Sequence, residues 1–321
     1  MQDTTVLVVG SAADESLHLL AESGDGVRFV VGSRPEDFGS AVLDAEAVFF
    51  SGGHPPALDS ILAVSPRVRW VHARWAGLEG LLSGAIAAHP AVLTNARGVY
   101  SGALAEFVLG AILYFAKDMA RMVRNQRAGR WEPFDVEEIR SKTLGIVGYG
   151  HIGASIAERC RGCGLRVLAL RRNHAPVADP RVDEWVPTTR LGDLMARSDY
   201  VAVALPATAE TFRMVDAAAI EALKPSAVFV NVGRGSTVDE DALVRSLKQG
   251  RIRGVALDVF ETEPLPAGHP LYHLENVLVS PHCADHTPTW RHDAVRLFLE
   301  NLARFRRGEA LQNVVDKARG Y

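Results

Sequence analysis

Three stretches of the chain carry the residue types from which anion and proton chemistry is built. They are Asn231-Val232-Gly233-Arg234-Gly235, Asp258-Val259-Phe260-Glu261-Thr262-Glu263-Pro264 and Ser280-Pro281-His282, and each follows a short apolar run. A guanidinium such as that of Arg234 grips a carboxylate in bidentate fashion and polarises a neighbouring carbonyl. An imidazole, the side chain at His282, suits the transfer of a proton because the unperturbed group has its pKa near neutrality. The carboxylate of Glu263, placed beside it, would orient the ring and favour its cationic form. An anchor for an anion and a proton donor for a developing alkoxide are what the reduction of a 2-keto acid needs, given a source of hydride.

That source has its own signature. Lys142-Thr143-Leu144-Gly145-Ile146-Val147 reads as a strand running into Gly148-Tyr149-Gly150-His151-Ile152-Gly153, with a helix over Ile152 to Gly164 and a second strand over Arg166 to Leu170. Gly148 makes the turn off the strand, Gly150 lets the backbone approach a pyrophosphate, and Gly153 lets helix and strand pack closely. The backbone of His151 matters more there than its ring. A dinucleotide fold usually sets an acidic residue at the end of the second strand to hold the ribose 2′-hydroxyl. Arg171 and Arg172 stand there instead. A guanidinium pairs with a 2′-phosphate that a carboxylate would repel, so the expected cofactor is NADP(H) in preference, with NAD(H) possible.

These groups converge only if the apolar runs are strands of one sheet, since the carboxyl ends of the strands line the ligand crevice of an open α/β sheet. The pattern supports this. Beyond the glycine loop, strands are expected over Tyr200 to Leu205, Ala227 to Val232, Gly254 to Val259 and Val277 to Ser280, with helices over Leu191 to Arg197 and Asp239 to Gln249 and a helix ending over Ile220 to Leu223. The first hundred residues alternate likewise, with strands at Val6 to Val9, Val27 to Val31, Ala47 to Phe50, Arg69 to Ala73 and Val92 to Thr94. Helices are expected at Ser16 to Glu22, Ala57 to Val64 and Leu78 to Ala88. Such alternation implies parallel sheets. One long helix, Ser101 to Gly129, reads as an interdomain spine or dimer face. The last, Thr287 to Arg307, is amphipathic, with Asp285 and Thr287 as its cap, and is expected to return to the first domain. The expectation is an α/β protein of two Rossmann-like or flavodoxin-like domains with parallel sheets. Residues 1–100 with 287–321 form a substrate domain, and 101–286 a doubly wound NAD(P)-binding domain.

Other classes fit less well. A net charge of −3 gives no basic surface for nucleic acid or an anionic membrane. No apolar run reaches the ~20 residues of a bilayer span, and the N-terminus lacks a basic, signal-like start, so a cytoplasmic protein is expected. Cys160 and Cys163 form Cys-x-x-Cys, but helical spacing makes both apolar fillers facing the sheet rather than a redox pair. His286 stands four residues after His282 without a third ligand, so no metal site is expected.

Taken together, the glycine loop, Asn-Val-Gly-Arg-Gly, Asp-Val-Phe-x-x-Glu-Pro and Ser-Pro-His resemble the D-isomer-specific 2-hydroxyacid dehydrogenase family over nearly the whole chain. The resemblance implies Arg234 as substrate anchor, Glu263 as the partner of the histidine and His282 as acid/base. It implies cofactor contacts at Gly148, Gly150, His151, Ile152, Gly153, Arg171, Arg172, Pro206, Thr211, Val232, Gly233, Asp258 and Ala284, with Asp258 on the nicotinamide carboxamide and Pro206 near the adenine. It implies that amides around Trp75, Ala76 and Gly77 hold the substrate carboxylate, and that the protein is a homodimer acting on a glyoxylate- or hydroxypyruvate-type 2-keto acid. Two alternatives stand beside it: a nucleotide-sensing interaction protein like the corepressors of this fold, and oxidation of an inorganic anion such as phosphite. The sequence departs from the family at Arg171, where NAD users carry Asp. Leu78-Glu79 replaces Val-Asp. Arg74 is also unusual, and is expected to be exposed or interdomain unless it binds a second anionic group.

Overall fold

The computed structural model describes residues 3–82, 84–172 and 178–320. It divides into two compact units, residues 1–100 with 287–321 and residues 101–286. No described helix is long and apolar enough to cross a membrane.

The first unit is a five-stranded parallel sheet of β1 (Thr4–Val9), β2 (Val27–Gly32), β3 (Ala45–Phe50), β4 (Trp70–Ala73) and β5 (Val92–Asn95), in the order β2-β1-β3-β4-β5. Its central strands are apolar on both faces because both faces are covered. Leu7, Val9, Phe50 and Val71 pack on one side with Leu58 and Ile61 of helix Pro55–Ala63. Val6, Val8, Phe49 and Trp70 pack on the other with Val295, Phe298 and Leu302 of helix Trp290–Arg307. Phe298 stacks on Phe49 at 4.2 Å between centroids and on Trp70 at 5.3 Å. The C-terminal helix thus completes the core of the N-terminal sheet.

The second unit is a seven-stranded sheet, parallel throughout. Its strands are β6 (Thr143–Val147), β7 (Arg166–Leu170), β8 (Glu184–Val186), β9 (Tyr200–Val203), β10 (Val228–Asn231), β11 (Gly254–Leu257) and β12 (Val277–Val279). The order β12-β11-β10-β9-β6-β7-β8 reverses direction between β6 and β9. That is the switch point of a doubly wound sheet, where the loops after neighbouring strands part and leave a crevice.

Several expectations are corrected. The long helix is two, Ser101–Ala116 and Met119–Arg127, because Asp118 adopts a left-handed backbone (φ 47°) and its side chain accepts from Arg121 N. Asp tolerates this conformation and caps the new helix at once. Among the described residues of Leu78 to Ala88, only Ala85–Ala87 is helical, a single tight turn. Leu78, Leu81 and Ile86 are buried as the spacing required, but Gly80 and Gly84 weaken the helix by ~1 kcal/mol each. The Asp59 carboxylate then starts the turn late by accepting from Ala85 N. Glu15–Ser23 is a tight 3-10 helix. Strand β8 is additional. Thr289, not Asp285 or Thr287, precedes the last helix, and its hydroxyl donates to Asp293 at 2.8 Å. Cys160 is buried and burial pushes its thiol up to about 12, whereas Cys163 lies past the helix end and is exposed.

Candidate active site

The glycine loop begins where β6 ends. Gly148 has φ 101°, and a Cβ there would lie 2.8 Å from the Ala204 carbonyl, so only glycine makes this turn beside β9. A Cβ on Gly153 would run into the Gly148 carbonyl, whereas one on Gly150 would meet no protein atom within 4 Å. Helix His151–Gly162 starts at Gly150 with no side-chain cap. The positive end of the helix dipole therefore lies at a cap position where a Cβ would meet open space. That is a fit for a pyrophosphate, and Gly148, Gly150, His151, Ile152 and Gly153 are the residues that would hold it.

Around this loop stand the other expected cofactor positions. Arg171 and Arg172 follow β7, and Arg172 is ion-paired with Glu210. Pro206 opens the loop after β9, and its carbonyl accepts from the Thr211 hydroxyl at 2.6 Å, while that hydroxyl accepts from Thr208 N at 2.9 Å. Thr211 is buried and stitches this loop shut. Val232 is buried and donates its N–H to Val203. A Cβ on Gly233 would come within 2.6 Å of the Leu205 carbonyl.

The loops after β10, β11 and β12 are braced by buried polar side chains. Asn231, 1% exposed, accepts from Gly233 N at 3.0 Å and donates to the Arg234 carbonyl at 3.1 Å. The Thr237 hydroxyl donates to the same carbonyl at 2.6 Å. Arg234 Nη1 donates to the Gly233 carbonyl at 2.7 Å. A Cβ on Gly235 would strike the Phe260 backbone, so the loops after β10 and β11 touch through this glycine. Asp258 is equally buried. Its Oδ1 accepts from Ser280 Oγ at 2.6 Å and from Cys283 N and Ala284 N at 3.0 Å each. Asp258 therefore fixes the segment that carries His282.

His282 itself takes a left-handed backbone, φ 52°. This costs a non-glycine residue ~1–2 kcal/mol, and such outliers collect at functional sites. Its Nδ1 lies 2.6 Å from Glu263 Oε2, while Glu263 Oε1 accepts from Phe260 N at 2.9 Å. An ionised carboxylate only accepts, so Nδ1 carries hydrogen and Nε2 is the nitrogen that trades protons. Burial holds the Asp285 carboxyl above the usual carboxylate range. His286 Nε2 lies 3.8 Å from Asp285, and no cluster of three or more His, Cys, Asp or Glu suited to a metal occurs among the described residues.

In the first unit, the loop after β4 holds Trp75, Ala76 and Gly77. The carbonyls of Trp75 and Ala76 accept from Ala96 N at 3.1 Å and Asn95 Nδ2 at 2.7 Å. Trp75 meets Phe50 edge-on at 5.7 Å. Arg74, expected to be exposed or interdomain, is buried inside this unit. Its Nη1 pairs with Asp14 and its Nη2 donates to Ser16 Oγ at 2.8 Å. It is a core arginine neutralised from sixty residues away in sequence, which local spacing does not reveal.

The braces Asn231, Thr237 and Ser280 were not singled out from sequence. Asn231 and Ser280 are polar residues at the ends of apolar runs, Thr237 lies further along the loop, and the partners of all three are set by the fold.

Residues 109–284 match the family model described as the NAD binding domain of D-isomer specific 2-hydroxyacid dehydrogenases. The chain is 32% identical to the glyoxylate/hydroxypyruvate reductase B of Pectobacterium carotovorum over 282 residues, 86% of this chain and 87% of that protein. It superposes on the D-isomer specific 2-hydroxyacid dehydrogenase of Xanthobacter autotrophicus, solved with NADPH and MES, with a TM-score of 0.85, 30% identity and all of both chains covered. An NADPH-dependent glyoxylate/hydroxypyruvate reductase of Sinorhizobium meliloti, solved with NADP and malonate, gives 0.78 at 28% identity over 99% of this chain and 98% of that one. Likeness of this extent spans both units rather than one motif: the chain belongs to the D-isomer specific 2-hydroxyacid dehydrogenases and is an NAD(P)-dependent enzyme of that family.

Proposed function

We propose that this enzyme reduces a small 2-keto acid of the glyoxylate or hydroxypyruvate type to the D-2-hydroxy acid, with NADPH preferred over NADH. The observation that carries the reading is the Glu263–His282 pair at 2.6 Å, on loops at the carboxyl ends of the strands of one parallel sheet, as are Arg234 and the glycine loop. The names of the relatives support the substrate class, and the NADPH- and NADP-bound relatives, with Arg171 and Arg172 in this chain, support the cofactor preference.

In this mechanism Arg234 binds the substrate carboxylate and draws electron density towards the carbonyl oxygen. Amides of Trp75, Ala76 and Gly77 serve as further carboxylate donors. A bound nicotinamide supplies the hydride for the 2-carbon. His282 Nε2 gives its proton to the oxygen as charge develops there, and the Glu263 carboxylate stabilises the imidazolium before that step and keeps the ring in place after it. The reverse reaction uses the same groups, with His282 as base. Asp258 and Asn231 hold the loops on which these side chains are mounted.

The test is initial-rate absorbance at the nicotinamide band with NADPH and NADH against glyoxylate, hydroxypyruvate, pyruvate and phenylpyruvate. Turnover with NADPH favoured is expected. Tight NADPH binding with no turnover of any 2-keto acid would overturn the reading.

The active form is proposed as a homodimer. Met119, Met122 and Val123 on helix Met119–Arg127 are exposed, as are Trp131 and Val136 just beyond it, Trp131 at 98%. Exposed apolar residues of this number in one short region mark a protein interface. Sedimentation velocity showing only monomer at micromolar concentration would refute it.

A further inference from the structure

The two arginines after β7 are held in different ways. Arg172 is paired with the Glu210 carboxylate. Arg171 lies over an aromatic ring: its guanidinium carbon is 4.7 Å from the centroid of the Trp185 indole. Trp185 sits on β8, opposite Ala169 of β7, whose small side chain leaves room for the ring. Strand β8 does not need this tryptophan for its own attachment. Val186 is buried in the core, and Glu184 is ion-paired with Arg166 at 3.0 Å and with Arg197. Trp185 is only half-buried and lies outside that core.

A second ring braces the first. Tyr149, the residue between Gly148 and Gly150, meets Trp185 edge-on at 4.9 Å and 84°. Its hydroxyl donates to Asp179 Oδ2 at 2.8 Å. Asp179 is in turn gripped by Arg181 through its N–H, Nε and Nη2 at 2.7 to 2.9 Å. A continuous chain of contacts therefore runs from the phosphate-facing glycine loop through Tyr149 and Trp185 to the guanidinium of Arg171.

We propose that Trp185 is a positioning residue for cofactor choice: its indole face, braced by Tyr149, holds the Arg171 guanidinium at the end of β7, where it meets the 2′-phosphate of NADP(H). This rests on the proposed preference for NADP(H). An arginine on a flexible stem gives up rotamer freedom when it grips a phosphate. One already held over an aromatic face gives up less.

The test is titration calorimetry of the whole enzyme with two fragments, adenosine 2′,5′-bisphosphate and adenosine 5′-monophosphate, which differ only in the phosphate at issue. Trp185→Leu is expected to weaken the bisphosphate about fivefold, the size of one partly exposed cation–π contact, and to leave the monophosphate within about twofold. Trp185→Phe, which restores a ring face, is expected to recover most of the loss. Arg171→Ala is expected to weaken the bisphosphate about tenfold or more. In that background Trp185→Leu should add nothing, since the ring then has no guanidinium to hold. Should Trp185→Leu not fold, Trp185→Met keeps the bulk, removes the ring face and takes its place.

Equal weakening of both fragments, or no recovery with Trp185→Phe, would show that Trp185 only supports the fold and would overturn the proposal. So would unchanged bisphosphate binding in Trp185→Leu while Arg171→Ala still loses it, with the NADP(H) reading left intact. Unchanged bisphosphate binding in Arg171→Ala would remove that reading and this inference together.

Discussion

The two units are parallel sheets that treat the end of their first strand in opposite ways. Strand β1 runs through Gly10 into a loop whose Asp14 carboxylate accepts from Ser16 N at 3.0 Å and Ser16 Oγ at 2.7 Å, and also takes the buried Arg74. Burial works to raise the pKa of that carboxyl, but the hydrogen bonds from Arg74 and Ser16 outweigh it and hold it below the usual range. Strand β6 runs through Gly148 into a helix whose N-terminus has no side-chain cap. One unit fills the anion position at its helix start with its own carboxylate, and the other leaves it open. A phosphate loop is therefore a helix start without the cap that ordinary stability would favour, and the difference lies in which residue stands at the cap, not in the sheet behind it.

The histidines repeat the contrast. His282 is half-exposed beside a carboxylate. His72, on β4, is wholly buried among Phe49, Trp70 and Phe298, with Nδ1 2.7 Å from Thr94 Oγ1 and, among the described residues, no hydrogen-bond partner for Nε2. The first keeps a carboxylate against its ring, and the second is kept neutral by burial.

The largest effect expected from this contrast is at His282. His282→Ala should lower kcat by about 10²- to 10⁴-fold while NADPH affinity, measured by fluorescence titration, stays as in the parent enzyme. Near-normal kcat at neutral pH would take His282 out of the mechanism. A smaller effect tests the open helix start. Gly150→Asp gives the second unit the carboxylate that the first already has, where a Cβ meets no obstacle. Charge repulsion and a competing cap should weaken NADPH about a hundredfold without lowering the melting temperature. Unchanged NADPH affinity would mean that this helix start does not face the pyrophosphate.

The same contrast explains what could be read in advance. The β6 loop is local, its glycines and strand lie within a dozen residues, and the periodicity places it unaided. Helix Leu191–Arg197 and strand Arg166–Leu170 emerge with the bounds that the pattern gives. Arg234, Glu263 and His282 stand out in the sequence because each lies in a stretch that follows an apolar run. What was hidden depends on partners far along the chain. Asp14 reaches Arg74 across 60 residues, Asp258 reaches Ala284 across 26, and Ala85 is capped by Asp59 across 26. Strand β8 escaped notice because three residues at a sheet edge, one of them charged, carry no period. Asp118 broke a helix that its apolar spacing would have continued, since a left-handed residue leaves no trace in that spacing.

The smallest expected effect concerns the buried histidine and is a slope rather than a loss. Burial pushes the pKa of His72 down to about 3, from the ordinary 6.5. In the unfolded chain the ring takes up a proton below pH 6.5, while in the folded protein it stays neutral until about pH 3. Between these values the unfolded state binds one more proton than the native state, so stability falls as the pH falls, by about 1.4 kcal/mol per pH unit once the unfolded ring is charged. Above pH 6.5 the contribution of His72 is complete and flat. Urea unfolding of the parent enzyme and of His72→Gln between pH 7 and pH 5 separates this residue from all others that titrate there. Glutamine retains a partner for Thr94 but cannot be protonated, so the variant should be less stable at pH 7 and lose less stability towards pH 5. Parallel slopes would show that His72 does not stay neutral in the native core. Such a result would erase the contrast between the wholly buried histidine of the first unit and the exposed, carboxylate-paired one of the second.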